Sequence, residues 1–135
     1  MKVYLAAAMH RREEIRAVAK RLEDVGIKVT ARWLEQNQRD MTLREVAEYD
    51  SADVFRADCL VRFSDDISTP TVPAGWCTCS RMEESGMAQA WGKMIVIVGG
   101  HQSVFDYFLN RVHLKDADEL VDYLKNLNMI GSNLR

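Results

Sequence analysis

Hydrophobic positions along this chain switch repeatedly between the period of a strand and the period of a helix. Val3 to Ala8 is nearly continuous in apolar side chains and predicts a buried first strand. Ile15, Val18, Ala19, Leu22 and Val25 then recur at helical spacing, and Gly26 stands where that helix should stop. From Ile27 to Trp33 the set Val29, Ala31 and Trp33 alternates with Lys28, Thr30 and Arg32, the pattern of a second strand. Thr42, with Glu45 three residues on, carries a capping-box signature and opens a helix running to about Phe55. Leu60 to Phe63 predicts a third strand, and Ser64 to Cys79 a long loop holding both prolines, Pro70 and Pro73. A third helix begins near Ser80, and Met94 to Val98 reads as a central, fully buried strand. After Gly99-Gly100 a short strand is expected around Val112, then a helix capped by Asp116 with Glu119 that buries Leu120, Val121, Leu124 and Leu127.

Strands separated by helices imply βαβ units and right-handed crossovers. The expected fold class is α/β: a three-layer, flavodoxin/Rossmann-like domain with a mostly parallel sheet of about five strands, spanning residues 1–135 as one domain. In such folds ligands bind beyond the carboxyl ends of the strands. The segments 7–12, 33–40, 64–80 and 99–105 should therefore border a site. None carries a phosphate-binding signature: there is no G-x-G-x-x-G after the first strand and no P-loop motif.

Composition narrows the picture. A net charge of −2 with dispersed basic residues leaves no footprint for a nucleic-acid polymer or an anionic membrane. No apolar run approaches the roughly 18 residues that span a bilayer. The apolar start runs directly into His10-Arg11-Arg12-Glu13-Glu14, so it reads as a strand rather than a leader, and a cytoplasmic location is expected. Cys59, Cys77 and Cys79 make no disulfide framework, and Cys77-Thr78-Cys79 is too closely spaced for the usual zinc pair. No metal site is expected.

The third helix holds the most informative residue. Ser80 as its cap puts Glu83 in an S-x-x-E capping box, which gives Glu83 an ordinary task. Glu84 has none. Met87, Ala88 and Trp91, at i+3, i+4 and i+7 from it, form the apolar stripe expected to pack on the sheet. A carboxylate in that stripe must find a partner, shift its pKa upward, or serve chemistry, because burying it alone costs several kcal/mol.

The run Glu84-Ser85-Gly86-Met87-Ala88-Gln89-Ala90-Trp91-Gly92-Lys93, followed by an apolar strand, resembles the E-x-G-x-A-x-x-x-G-K segment of nucleoside 2-deoxyribosyltransferases and of the related 2′-deoxynucleoside 5′-monophosphate N-hydrolases. Val3-Tyr4-Leu5-Ala6 resembles that family's opening strand. The segment from Asp50 through Asp53 to Ala57-Asp58 resembles its D…D…AD entry into the third strand, and Val98-Gly99-Gly100 with Val104-Phe105 a later V-G…V-F stretch.

The resemblance implies a cofactor-independent enzyme that cleaves the N-glycosidic bond of 2′-deoxynucleosides or their 5′-monophosphates. Glu84 matches the glutamate that attacks the anomeric carbon and forms a covalent glycosyl-enzyme. Tyr4 matches the tyrosine that positions it, although a strand tyrosine is equally often a plain core residue. Asp50 matches the aspartate that helps protonate the departing base, with Asp65 and Asp66 as alternative acids. Substrate contacts are expected from Ala6, Ala8, Met9, Arg12, Trp33, Asp65, Arg81 and Ser103. Arg11 and Arg12 stand where nucleotide hydrolases keep a phosphate-binding arginine, yet they fit solvated first-turn residues equally well, the preferred reading for at least one of them. Trp33 suits either base stacking or edge packing. Ser103 matches a residue that relatives donate from a neighbouring subunit, which implies a homodimer or larger homo-oligomer. The chain departs from the family in having Ala7 and Ala8 where glycine is common, and in the long 64–80 loop with Trp76. Base transfer is the favoured activity; hydrolysis, or a non-catalytic nucleotide-binding sensor that keeps the fold, are the alternatives.

Overall fold

The computed structural model describes residues 1–65 and 79–134, with only the backbone of Cys79. Asp66, Pro70, Pro73, Trp76, Cys77 and the Cys79 side chain, on which several expectations rested, lie outside the described residues. Five strands form one parallel sheet: β1 (Lys2–Ala6), β2 (Lys28–Val29), β3 (Cys59–Phe63), β4 (Met94–Val98) and β5 (Arg111–Leu114). Their order is β2-β1-β3-β4-β5. Four helices flank it: α1 (Arg12–Asp24) packs with α4 (Ala117–Asn133), and α2 (Leu43–Arg56) packs with α3 (Cys79–Ala90). The result is a three-layer α/β fold with a flavodoxin-like strand order.

Burial explains why the strands lack the alternation of a half-exposed sheet. Val3, Tyr4, Leu5, Leu60, Val61, Ile95, Val96 and Ile97 are all at most 1% exposed, because helices cover both faces. β3 is the middle strand, with Tyr4 registered on Leu60 and Leu60 on Ile95, so β4 is internal but not central as the sequence suggested. α1 buries Ile15, Val18, Ala19 and Leu22 as its spacing requires, and Gly26 takes φ +81 just past its end. The capping box of Thr42 and Glu45 is formed, and Asp116 caps α4 through the Glu119 amide. Leu120, Val121 and Leu124 are buried in α4, whereas Leu127 is only half-buried.

Three further expectations are corrected. The strand expected over 27–33 shortens to Lys28–Val29, since at the sheet edge the chain leaves the ladder and enters a 3₁₀ turn at Arg32–Leu34. Ala31 and Trp33 are buried nonetheless, by packing from the turn. Second, α3 has already begun at Cys79, so Ser80 lies inside its first turn and is not its cap. Third, the buried stripe of α3 is Arg81, Glu84, Ser85 and Ala88, not one ending in Trp91. Trp91 is 41% exposed and meets Phe55 of α2 edge-on, ring centroids 5.2 Å apart.

The connection from β4 to β5 contains a single 3₁₀ turn, Val104–Tyr107, in place of a helix. It is pinned from below by β3. The Arg62 guanidinium donates to Asp106 at 2.5 Å, and both side chains are at most 3% exposed. The same carboxylate accepts from the Gln102 and Ser103 amides. Gly99 starts this connection at φ +103, where a Cβ would stand 3.1 Å from that of Ser64, so the close approach of the two strand ends needs glycine.

Candidate active site

The chain reverses direction across the sheet between β1 and β3, the topological switch point at which open α/β sheets bind ligands. A cavity of about 520 Å³ opens there, beyond the carboxyl ends of both strands and between α2 and α3. Tyr4, Ala8, Met9, Trp33, Asp50, Asp65, Arg81 and Glu84 all line it.

α3 presents Glu84 to this cavity on an unusually polar buried stripe, and each polar member has a partner. The Tyr4 hydroxyl donates to Glu84 Oε1 at 2.8 Å. Arg81 donates to the Phe63 carbonyl at 2.9 Å and reaches both oxygens of Asp65. The Ser85 hydroxyl donates back to the Arg81 carbonyl, one turn earlier. Glu84 is 8% exposed, and burial pushes its carboxyl up to about 8, against the pull of the Tyr4 hydrogen bond. Tyr4 is itself raised well above the ordinary phenol range, by burial first and then by the carboxylate it bonds, so it remains a hydrogen-bond donor.

α2 contributes Asp50, which the helix separates sharply from Asp53 three residues later. Asp53 is fully buried and accepts from the Arg32 amide, the Arg32 guanidinium and Arg56, so it ties the edge turn to α2. Asp50 makes no hydrogen bond or ion pair among the described residues and borders the cavity. Burial, with Asp53 nearby, raises it to about 6. Two carboxyls on facing helices thus carry pKa values displaced toward neutrality, a recurrent property of catalytic sites. Asp65 behaves oppositely: burial pushes it up, but the Arg81 hydrogen bond and charge outweigh that and leave it lowered.

The other expected contacts divide. Trp33 lines the cavity, but its indole N–H donates to the Leu5 carbonyl at 2.8 Å and only 5% of the residue is exposed, so the ring is a fixed wall. Ala6 is buried inside β1 and is not part of the lining. Arg12 is outside it too, because its guanidinium donates to the Leu34 and Gln36 carbonyls and holds the edge turn. Ser103 borders a different cavity of about 450 Å³, with Arg62, Ser85 and Arg111. There it caps the 3₁₀ turn, accepting from the Phe105 amide. His10, Gln38, Leu43 and Val46 were missed and do line the Glu84 cavity. Leu43, Val46 and Asp50 are spaced i, i+3, i+7, and that stripe was the available signal. Among the described residues no cluster of three His, Cys, Asp or Glu could hold a metal, and no helix is long and apolar enough to cross a membrane.

No family model and no curated protein sequence matches the chain. Solved structures do. The CMP N-glycosidase BcmB of Clostridium botulinum superposes with a TM-score of 0.63 at 20% identity, over 92% of this chain and 98% of that one. A conserved protein of Enterococcus faecalis V583 gives a TM-score of 0.65 at 15% identity, over 93% and 98%. At these identities the likeness establishes a shared fold over almost the whole length of all three chains.

Proposed function

We propose that the protein cleaves the N-glycosidic bond of a 2′-deoxynucleoside or its 5′-monophosphate, through a covalent glycosyl-enzyme on Glu84. The observation that carries this reading is the Tyr4–Glu84 hydrogen bond inside a cavity that also holds Asp50. The fold shared with a CMP N-glycosidase supports the same class of chemistry.

A Glu84 oxygen attacks C1′ as the bond from C1′ to the base breaks. The bonding pair leaves with the base nitrogen, which takes a proton from Asp50. The transition state resembles an oxocarbenium ion, and the neighbouring carboxylate stabilises its positive charge. In the second half an acceptor base attacks C1′ of the glycosyl ester, the ester C–O bond breaks, and the acceptor's proton passes to Asp50. Water in the acceptor's place makes the enzyme a hydrolase. Transfer is the favoured outcome, from the resemblance of the Glu84–Lys93 segment to the deoxyribosyltransferases. Ser103, outside the lining of the chain's own Glu84 cavity, fits a role in the site of an adjoining copy, as part of a homodimer or larger homo-oligomer. Exposed Val104, Phe105 and Tyr107 beside it favour such a contact.

The required protonation states are ionised Glu84 and protonated Asp50, the reverse of the order of their pKa values. Between about pH 6 and 8 roughly one molecule in a hundred carries this pair of states. Incubation with each deoxynucleoside and its monophosphate, with and without a second base, tests the reading by chromatography of the products. Base released only with acceptor is transfer, and base released without it is hydrolysis. No released base, or release undiminished in Glu84→Ala, overturns the proposal.

A further inference from the structure

The charges around the Glu84 cavity decide which end-group a substrate can bring. Among the described residues three carboxyl groups line it, Asp50, Asp65 and Glu84, against one guanidinium, Arg81, with His10 beside them. Three of the five Arg81 N–H donors are committed, and its charge is paired with Asp65. One of its terminal nitrogens serves the Phe63 carbonyl and Asp65, and the other serves Asp65 alone. The arginines next to β1 are engaged as well: Arg11 with Glu14 and the Ser64 carbonyl, Arg12 with the Leu34 and Gln36 carbonyls. Segment 66–78 contains no lysine, arginine or histidine in its sequence. Arg39, next to Gln38, is exposed and outside the lining.

A phosphate monoester brings about −1.5 to −2 charges at neutral pH and needs donors with charge to spare. Here it would join the carboxylates of Asp50 and Asp65, beside a Glu84 that is mostly protonated at neutral pH, and meet a guanidinium already neutralised by Asp65. The first turn of α3 would ordinarily attract an anion, but the Asp65 carboxylate is already held against it through Arg81. A dianion in the cavity would also hold Glu84 protonated, against its need to ionise.

We infer that this site takes an uncharged nucleoside, and that Asp65, by clamping Arg81, is the residue that turns a 5′-phosphate away. The assignment rests on the N-glycosidic reading for its substrate class. The lowered pKa of Asp65 keeps it ionised at neutral pH, so the clamp persists where the enzyme works. The Tyr4 hydroxyl, the Trp33 ring and the Gln38 amide in the lining suit the neutral sugar and base.

The test is calorimetric titration of the whole chain with the four 2′-deoxynucleosides and their 5′-monophosphates, with free base assayed in the same samples. The wild type should bind the preferred nucleoside roughly tenfold or more tightly than its monophosphate. Asp65→Asn, checked for folding by circular dichroism, should free Arg81 and shift that ratio toward the monophosphate by a similar factor, with affinity that falls as salt rises. Tighter binding of the monophosphate by the wild type overturns the assignment without any variant. If Arg39→Gln then removes that tighter binding, Arg39 is the phosphate contact. An unchanged ratio in folded Asp65→Asn overturns the role of Asp65. Preferential nucleoside binding without base release supports the specificity and overturns the catalytic reading; failure of every compound to bind overturns both.

Discussion

The Tyr4 hydroxyl and Glu84 Oε1, 80 residues apart in the chain, meet at 2.8 Å between β1 and α3. This bond holds down a carboxyl that burial alone would push higher than about 8. Tyr4→Phe should therefore raise the Glu84 pKa further. Since the proposed mechanism needs ionised Glu84, the plateau of the pH–rate profile should fall as that pKa rises, about tenfold for a rise of one. The alkaline edge of the profile should move up with it. A profile of kcat/KM against pH for the best deoxynucleoside checks both changes together.

Glu84→Gln should abolish turnover, by on the order of 10³-fold or more, while stabilising the fold. The sign follows from linkage. A carboxyl at about 8 when folded and near 4.5 when unfolded binds more protons in the native state between those values. Its contribution is fully present below about pH 4.5 and is lost as pH rises toward 8. The variant should gain up to roughly 4 kcal/mol over wild type at pH 8 and nothing at pH 4. Thermal unfolding at the two pH values measures the difference; equal melting shifts at both would show that Glu84 is not buried as described.

Asp50→Asn should lower turnover by about 10²–10⁴-fold, most for the poorest leaving bases. It should also simplify the profile. With no acid left to titrate near pH 6, the rate should climb steadily until Glu84 is ionised near pH 8 and not fall above it. A retained alkaline decline would assign the proton donor elsewhere.

Asp106→Asn tests the anchor of the β4–β5 connection. It leaves the Arg62 charge buried beneath a neutral amide, and loss of one partner from such a pair costs about 3–5 kcal/mol. Urea denaturation should show a lowered midpoint, whereas a change in stability under about 1 kcal/mol would mean that the buried pair contributes little.

Much of the architecture was legible because it follows from local rules. Periodicity located α1 and its terminal glycine, the two caps of α2 and α4, and the apolar strands, since each depends on neighbours within a few residues. The failures share a cause. β2 shortened because edge pairing ends where the chain turns away, which the alternation of Ile27 to Trp33 does not encode. The α3 stripe was misjudged because a buried polar face is stable only when distant partners satisfy it. Phe63 supplies a carbonyl, Asp65 a carboxylate and Tyr4 a hydroxyl.

Sequence alone determined that Glu84 is a carboxylate without a local task, on a helix leading into an apolar strand, in a chain that folds as parallel α/β. The resemblance had pointed to Tyr4 and Asp50; the tertiary structure supplied the Tyr4 hydrogen bond, set Asp50 at the cavity with Asp53 buried elsewhere, and committed Arg81 to Asp65. It also placed Arg12 and Ser103 outside that cavity. The reason is physical. Helix and strand formation follow from side chains a few positions apart, but the pKa and partners of a buried group depend on charges and hydrogen bonds that only the packed sheet brings within reach.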